Sequence, residues 1–541
     1  MVFFVTGSFA QQFTHADTLR GSNGPARKWW DATKYDLHVT FNIKDSTIRG
    51  YNTISFKAVE KGGPMQIDLK EPMVIDSIKS GSASAKTQLV SDGFTRDGSA
   101  YFVRIPDAEN MVLFQNSYFV TIYYHGKPAV AVKPPWEGGL VWARDRQNQP
   151  WISIACQHLG ASVWYPCKDY QGDEPDSAEM HITAPSDLVA VSNGRQRNLL
   201  VNNDGTTTTT WAVVNPINNY DFIPYIGKYT HFGEVYPGEK GDLTLDYWVL
   251  DSNLARAKKQ FKEVPRMMQA FEYWFGPYPF YKDGYKLVDA PYLGMEHQSA
   301  VAYGNGYQNG YRGRDLSGTG VGLQWDFIIV HESGHEWFGN NITADDIADD
   351  WIHEGFTSYS ETLFTEYWFG KKAAETYVTG LRKNIENQKP VIAPYGVNAN
   401  GPIDIYYKAS NMLHTIRQVI NNDSLFRKIL RGLNQTFYHK TVTSRQIEDY
   451  ISQTSGIDFS RVFDQYLRTT KIPTLEYSLQ NGILSYRWIN VIPGFQMPVR
   501  IYDEKGALQF IYPSEKIKKL PTRISSVKLD ENFYVYSNQI K

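Results

Sequence analysis

Within Ile328-Ile329-Val330-His331-Glu332-Ser333-Gly334-His335-Glu336-Trp337, two histidines stand four residues apart and a glutamate follows the first. On a helix, positions i and i+4 share a face one turn apart, so both imidazoles can reach one ion. The spacing suits zinc. Glu332 can point at a water on that ion without binding the metal, which is the position a general base requires. Two nitrogens are too few, because a catalytic zinc keeps three protein ligands and one open position. Glu354, nineteen residues after His335 in Asp350-Trp351-Ile352-His353-Glu354-Gly355-Phe356, opens the next helical pattern. A helix packed antiparallel to the first brings its carboxylate under the imidazoles. His331, His335 and Glu354 then hold one Zn2+ per chain in a hydrolytic rather than a structural site. His353, one residue before that carboxylate, faces elsewhere on a helix and is expected behind the ligands or at the surface.

The elements that must position these residues are legible in outline. The chain has 541 residues, 42% hydrophobic and 14% aromatic, enough for several cores. From Tyr35, alternation in Leu37, Val39, Phe41 and Ile43, then Ile54, Phe56 and Ala58, predicts half-buried strands, and similar short runs continue to about Tyr229. A Pro237-Gly238 turn is expected near the end of this β region. Helical periodicity then takes over. It predicts helices from a cap at Asp251 or Ser252 toward Trp274, and over Leu323–Phe338 with a stop at Gly339-Asn340. Further helices are expected over Asp350–Phe369, Tyr406–Ile420 and Ser424–Tyr438, and over Gln446–Thr454 behind a Thr443-x-x-Gln446 capping box. Alternation returns after about Ile472, and no internal repeat is seen. The expected division is a signal-peptide remnant over 1–12, a β domain over 13–235, a mainly helical catalytic domain over 236–470 and a small β domain over 471–541.

Composition narrows the partners. Lys+Arg 55 against Asp+Glu 57 gives a net charge of -2, with no basic run for nucleic acid. No stretch approaches the ~20 apolar residues that span a bilayer. The start, MVFFVTGSFAQQ, reads as the tail of an export signal ending at Ser8-Phe9-Ala10, so a periplasmic or extracellular location is expected. Cys156 and Cys167 leave open a disulfide or two free buried thiols, and are too few for a metal site of their own. Nothing in the sequence speaks to oligomeric state.

The pattern His331-Glu332-x-x-His335 with eighteen residues before Glu354, followed by Trp337, Gly339-Asn340 and Trp351-x-x-Glu354-Gly355-Phe356, resembles the aminopeptidase N family of zinc peptidases, which also contains leukotriene hydrolase. Leu293-Gly294-Met295-Glu296-His297 is similar to that family's G-x-M-E-N segment, and Tyr406-Tyr407-Lys408-Ala409 to its Y-x-K-G. Ala155-Cys156-Gln157 and Pro166-Cys167-Lys168-Asp169 are similar to its N-domain glutamine and proline-cysteine turn. The resemblance implies a multidomain α+β fold: a saddle-like N-terminal β domain, a thermolysin-like catalytic domain and, as in short members, a small C-terminal β-sandwich without the helical domain of longer ones. It implies an aminopeptidase acting on peptides, with the Tyr406 phenol stabilising the oxyanion. It also implies substrate binding by Gly294 and Met295, with Glu296 and Gln157 receiving the free α-ammonium. Three positions depart from the family: Leu293 for glycine, His297 for asparagine, placing an imidazole that can shift Glu296, and Ala409 for glycine. Two alternatives remain, a bifunctional epoxide hydrolase/aminopeptidase and a catalytically silent peptide-binding scaffold. Retention of Glu332 argues against silence, since a scaffold has no use for a base.

Overall fold

The computed structural model describes residues 13–82, 85–89, 93–114, 117–503 and 505–540, so the export signal read over 1–12 lies outside the described residues. The first part of the chain is built on an eight-stranded sheet. Its strand order is Arg195–Val201, Thr206–Val213, Ser177–Pro185, Trp30–Asn42, Thr47–Ala58, Tyr118–Gly126, Val74–Ser82 and Ala85–Leu89. Alternation works as anticipated: Leu37, Val39, Phe41, Ile54 and Phe56 are buried, and their neighbours face outward. A four-stranded sheet containing Pro150–Ala155 and a three-stranded sheet containing Pro64–Asp68 complete this β part. Cys156 and Cys167 are both buried here as free thiols.

Between this part and the helices lies a five-stranded sheet, ordered Tyr229–Gly238, Gly241–Leu250, Tyr285–Asp289, Val301–Tyr303, Gly294–Met295. Leu245, Tyr247, Leu287 and Val301 join the helical core, whereas Leu250, Val288, Tyr292 and Ala302 join the core of the β part. Its three short strands, Tyr285–Asp289, Gly294–Met295 and Val301–Tyr303, are buried throughout and have no polar alternation to betray them, so they vanish into a region that reads as helical. The Pro237-Gly238 turn closes a hairpin of this sheet, with Gly238 opposite Gly241, so the expected division at residue 235 falls inside a strand.

The helices follow the periodicity with shifted ends. The segment from Asp251 toward Trp274 is two helices, Leu254–Gln260 and Glu263–Phe275, the second stopped by Gly276 at φ 97. Leu323–Phe338 is shorter than expected. Asp326 caps helix α1, Phe327–Gly334, and a bulged turn over Glu336–Asn340 ends it. Helix α2 runs Trp351–Phe369, Lys371–Gly380 follows it, and helix α3 covers Asp404–Ile420. Asp423–Thr436 comes next, then Ser444–Ser455, whose Thr443/Gln446 capping box forms as anticipated. The chain ends in a four-stranded and a two-stranded sheet between Thr474 and Gln539. The multidomain α+β class is therefore the one expected, with β architecture at both ends and helices between. No described helix is long and apolar enough to cross a membrane.

Candidate active site

Helix α1 begins where it does because the Asp326 carboxylate accepts from Ile328 N–H at 3.1 Å and Ile329 N–H at 3.3 Å. Asp326 is itself fixed by Tyr303, Asn305 and Gln260 at 2.7–2.8 Å. This anchor sets the rotation of the helix, and the buried Ile328, Ile329 and Val330 lock it against the core. His331 and His335 consequently emerge on one side. The helix cannot continue past His335, because Gly339 at φ 135 turns the chain back. That reversal brings the Phe338 carbonyl to His335 Nδ1 at 3.1 Å. His331 Nδ1 is held by Glu361 Oε1 at 2.7 Å, and Tyr377 donates to the other oxygen of Glu361 at 2.6 Å. With both Nδ1 atoms donating to oxygen acceptors, both Nε2 atoms are left as lone pairs.

Those lone pairs converge on Glu354, in the first turn of α2, which packs on α1. Glu354 Oε2 lies 3.5 Å from His331 Nε2 and 3.3 Å from His335 Nε2. Donors ~2.0–2.1 Å from a tetrahedral ion lie ~3.3–3.4 Å apart, so these separations are edges of a zinc-sized tetrahedron. Glu354 Oε2 is buried without a hydrogen-bond partner, as an atom meant for a metal would be. Burial alone would depress both imidazoles. The neighbouring carboxylates nevertheless draw them upward, Glu354 and Glu361 acting on His331, and Glu354 and Glu296 on His335. The donor set fits zinc in atom type, separation and charge.

Glu332 faces the same space, and burial raises its carboxyl to about 7 against the pull of His331. Gly294 lets it approach, since a Cβ there would stand 2.8 Å from Glu332 Oε1. Tyr406, near the start of α3, donates to Glu354 Oε1 at 2.9 Å. The Glu296 carboxylate is buried, shifted upward chiefly by that burial, and within 4.8 Å of donor atoms of Glu332 and His335. Gln157 donates its amide N–H to Glu296, which leaves the Gln157 amide oxygen as an acceptor, and Tyr220 donates to Glu296 Oε1 at 3.1 Å. Met295 pairs with Ala302 in the five-stranded sheet and, with Gly294, lines the same cavity. That cavity, about 1530 Å³, is walled by the β part at Trp136 and Gln157, and by the loop around Pro390–Ile403.

One expectation needs correction. His297 does not tune Glu296: its ring is fully buried, held by Tyr225 at 2.6 Å, and pushed by burial down to about 3, so it stays neutral. Of the two places expected for His353 the structure excludes the surface, since its Nε2 accepts the Ala344 N–H at 2.7 Å inside the core. Leu293, which departs from the family's glycine, is a buried core residue at the edge of the cavity. Glu361 and Tyr220 were not singled out by the sequence. Glu361 had a signal, since it stands seven residues after Glu354 and so on the same helical face; Tyr220 had none.

Residues 31–220 match the Peptidase M1 N-terminal domain and residues 260–466 the Peptidase family M1 domain. The chain belongs to peptidase family M1. Among solved structures this M1 chain is similar to the M1 zinc metallopeptidase of Deinococcus radiodurans, with TM-score 0.68, 19% identity, and coverage of 83% of this chain and 96% of that one. It is also similar to a mutant of that protein bound to a Tyr-Ser-Ala substrate, with TM-score 0.66, 18% identity and coverage of 82% and 95%. Both likenesses concern the fold. Aminopeptidase N of Canis lupus familiaris is 24% identical over 61% of the M1 chain and 36% of its own length. Leukotriene A-4 hydrolase of Xenopus laevis is 21% identical over 59% and 53%. The chain thus spans about half or less of these two curated relatives.

Proposed function

We propose that this chain is a zinc-dependent aminopeptidase that removes the N-terminal residue from peptides. The observation that carries the reading is the convergence of His331 Nε2, His335 Nε2 and the unpartnered Glu354 Oε2 at tetrahedral separations, with Glu332, Tyr406 and Glu296 around the same point. Zinc held there supplies a Lewis acid that polarises a carbonyl and lowers the pKa of water toward ~7. Glu332 takes the proton of the attacking water and returns it to the leaving amine. The Tyr406 hydroxyl, aimed at the ligand carboxylate, donates to the oxyanion as it forms. Glu296 and the Gln157 amide oxygen receive the α-ammonium, a charge that internal peptide bonds lack, so the pair selects chain ends. Glu361 and the Phe338 carbonyl hold the two imidazoles in the tautomer that binds metal.

The test is a panel of aminoacyl fluorogenic substrates, with N-acetylated controls, run with and without chelator. Turnover of free-amine substrates alone, abolished by chelator and restored by Zn2+, is the expected result. Equal turnover of blocked substrates would remove the assignment of Glu296, and activity indifferent to chelator would remove the zinc.

A further inference from the structure

On the half-exposed face of the eight-stranded sheet, away from the cavity, the fold repeats a motif of two histidines and a carboxylate. Trp30–Asn42 and Ser177–Pro185 run parallel, with Asp36 opposite Glu179 and His38 opposite His181. A period of two puts all four side chains on one face. Asp36 Oδ1 lies 3.2 Å from His38 Nε2 and 3.3 Å from His181 Nε2. Those are close to the separations that Glu354 Oε2 keeps from its two imidazoles. Like Glu354 Oε2, Asp36 Oδ1 is a buried atom with no hydrogen bond. Glu179 Oε1 stands 3.5 Å from His181 Nε2 as a fourth donor, while Lys34 holds its other oxygen at 3.1 Å.

The rings are held for this arrangement. His181 Nδ1 is engaged by Thr210 Oγ1 at 3.0 Å, which turns Nε2 toward Asp36. His38 is stacked between His181, at a centroid distance of 3.8 Å and 9° between planes, and Tyr51, at 4.3 Å and 16°. Both Nε2 atoms thus face the unpartnered Asp36 Oδ1, an arrangement of donors that one cation can join.

We propose that Asp36, His38 and His181, assisted by Glu179, form a second metal site for a divalent transition cation such as Zn2+. Imidazole and carboxylate donors suit an ion of intermediate softness, and the two carboxylates match the charge of a dication. The three principal donor atoms already lie within 4.8 Å of one another, and modest side-chain rotation on this half-exposed face closes bonds of ~2.0–2.1 Å. None of the four residues lines the catalytic cavity, so this site acts as a clamp across two parallel strands rather than in turnover.

The experiment is metal analysis of the full chain after dialysis against excess Zn2+ and removal of the free ion. Wild type is expected to hold two zinc ions. The double variant His38→Ala/His181→Ala should hold one and keep its peptidase activity, and His331→Ala/His335→Ala should hold one and lose activity. A wild type with one zinc, or a His38→Ala/His181→Ala variant still holding two, overturns the proposal. Zero zinc in His331→Ala/His335→Ala does the same without touching the catalytic assignment. Asp36→Asn, which preserves shape, guards against misfolding of the double variant: the second zinc should bind at least tenfold more weakly in chelator competition, and unchanged affinity counts against the site.

Discussion

Glu361 never touches the point where the metal donors converge, yet it decides which nitrogen of His331 faces it. Its 2.7 Å bond to Nδ1 leaves Nε2 as the only nitrogen free for an ion. Glu361→Gln should therefore weaken zinc binding ~10–100-fold while leaving the fold intact, read by chelator competition and circular dichroism. Glu332→Gln separates base from ligand: zinc stays bound, and kcat falls by ~10²–10⁴ if this carboxylate moves the proton. Tyr406→Phe removes a donor needed most at the tetrahedral stage, so kcat should drop ~10²–10³ with KM nearly unchanged; a raised KM at constant kcat would instead assign the phenol to ground-state contact.

At the scale of the element, close approach matters more than propensity. Gly355 in α2 faces Ala409 in α3, and a Cβ on Gly355 would stand 2.7 Å from Ala409 Cβ. The alanine in place of the family's glycine after Lys408 is tolerated because the facing position is itself glycine. Gly355→Ala should destabilise the chain by about 1–3 kcal/mol through overpacking, visible as a lowered melting temperature. The helix of the metal ligands was predicted from its apolar run, and its stop from Gly339-Asn340. Its true start at Asp326 was not, because Leu323 and Trp325 extend the apolar pattern beyond the cap. The periodicity of a core helix shows which faces are buried, but its ends are set by which carboxylate reaches the free N–H groups.

At the scale of the whole molecule, the proposed amine-binding corner joins the central sheet to the N-terminal β part. Glu296 comes from the segment after the central sheet's short strand Gly294–Met295, whereas Gln157 and Tyr220, which hold it, belong to the N-terminal β part. Gln157→Ala combined with Tyr220→Phe should raise KM for free-amine substrates and narrow their advantage over blocked ones, with zinc content unchanged. An undiminished preference would detach this corner from amine recognition. By itself the sequence determined the α+β class and pointed to the proposed metal donors and base, because these rest on local spacing: one helical turn between the histidines, one short connection to Glu354, and periods of two or near 3.6. Only the tertiary structure decided that the central sheet exists, that His297 is sealed against Tyr225, and that Glu361 and Tyr220 orient the site. Each of these depends on contacts between segments far apart in the chain, and a side chain's partner across such a gap follows from packing, which no local period records.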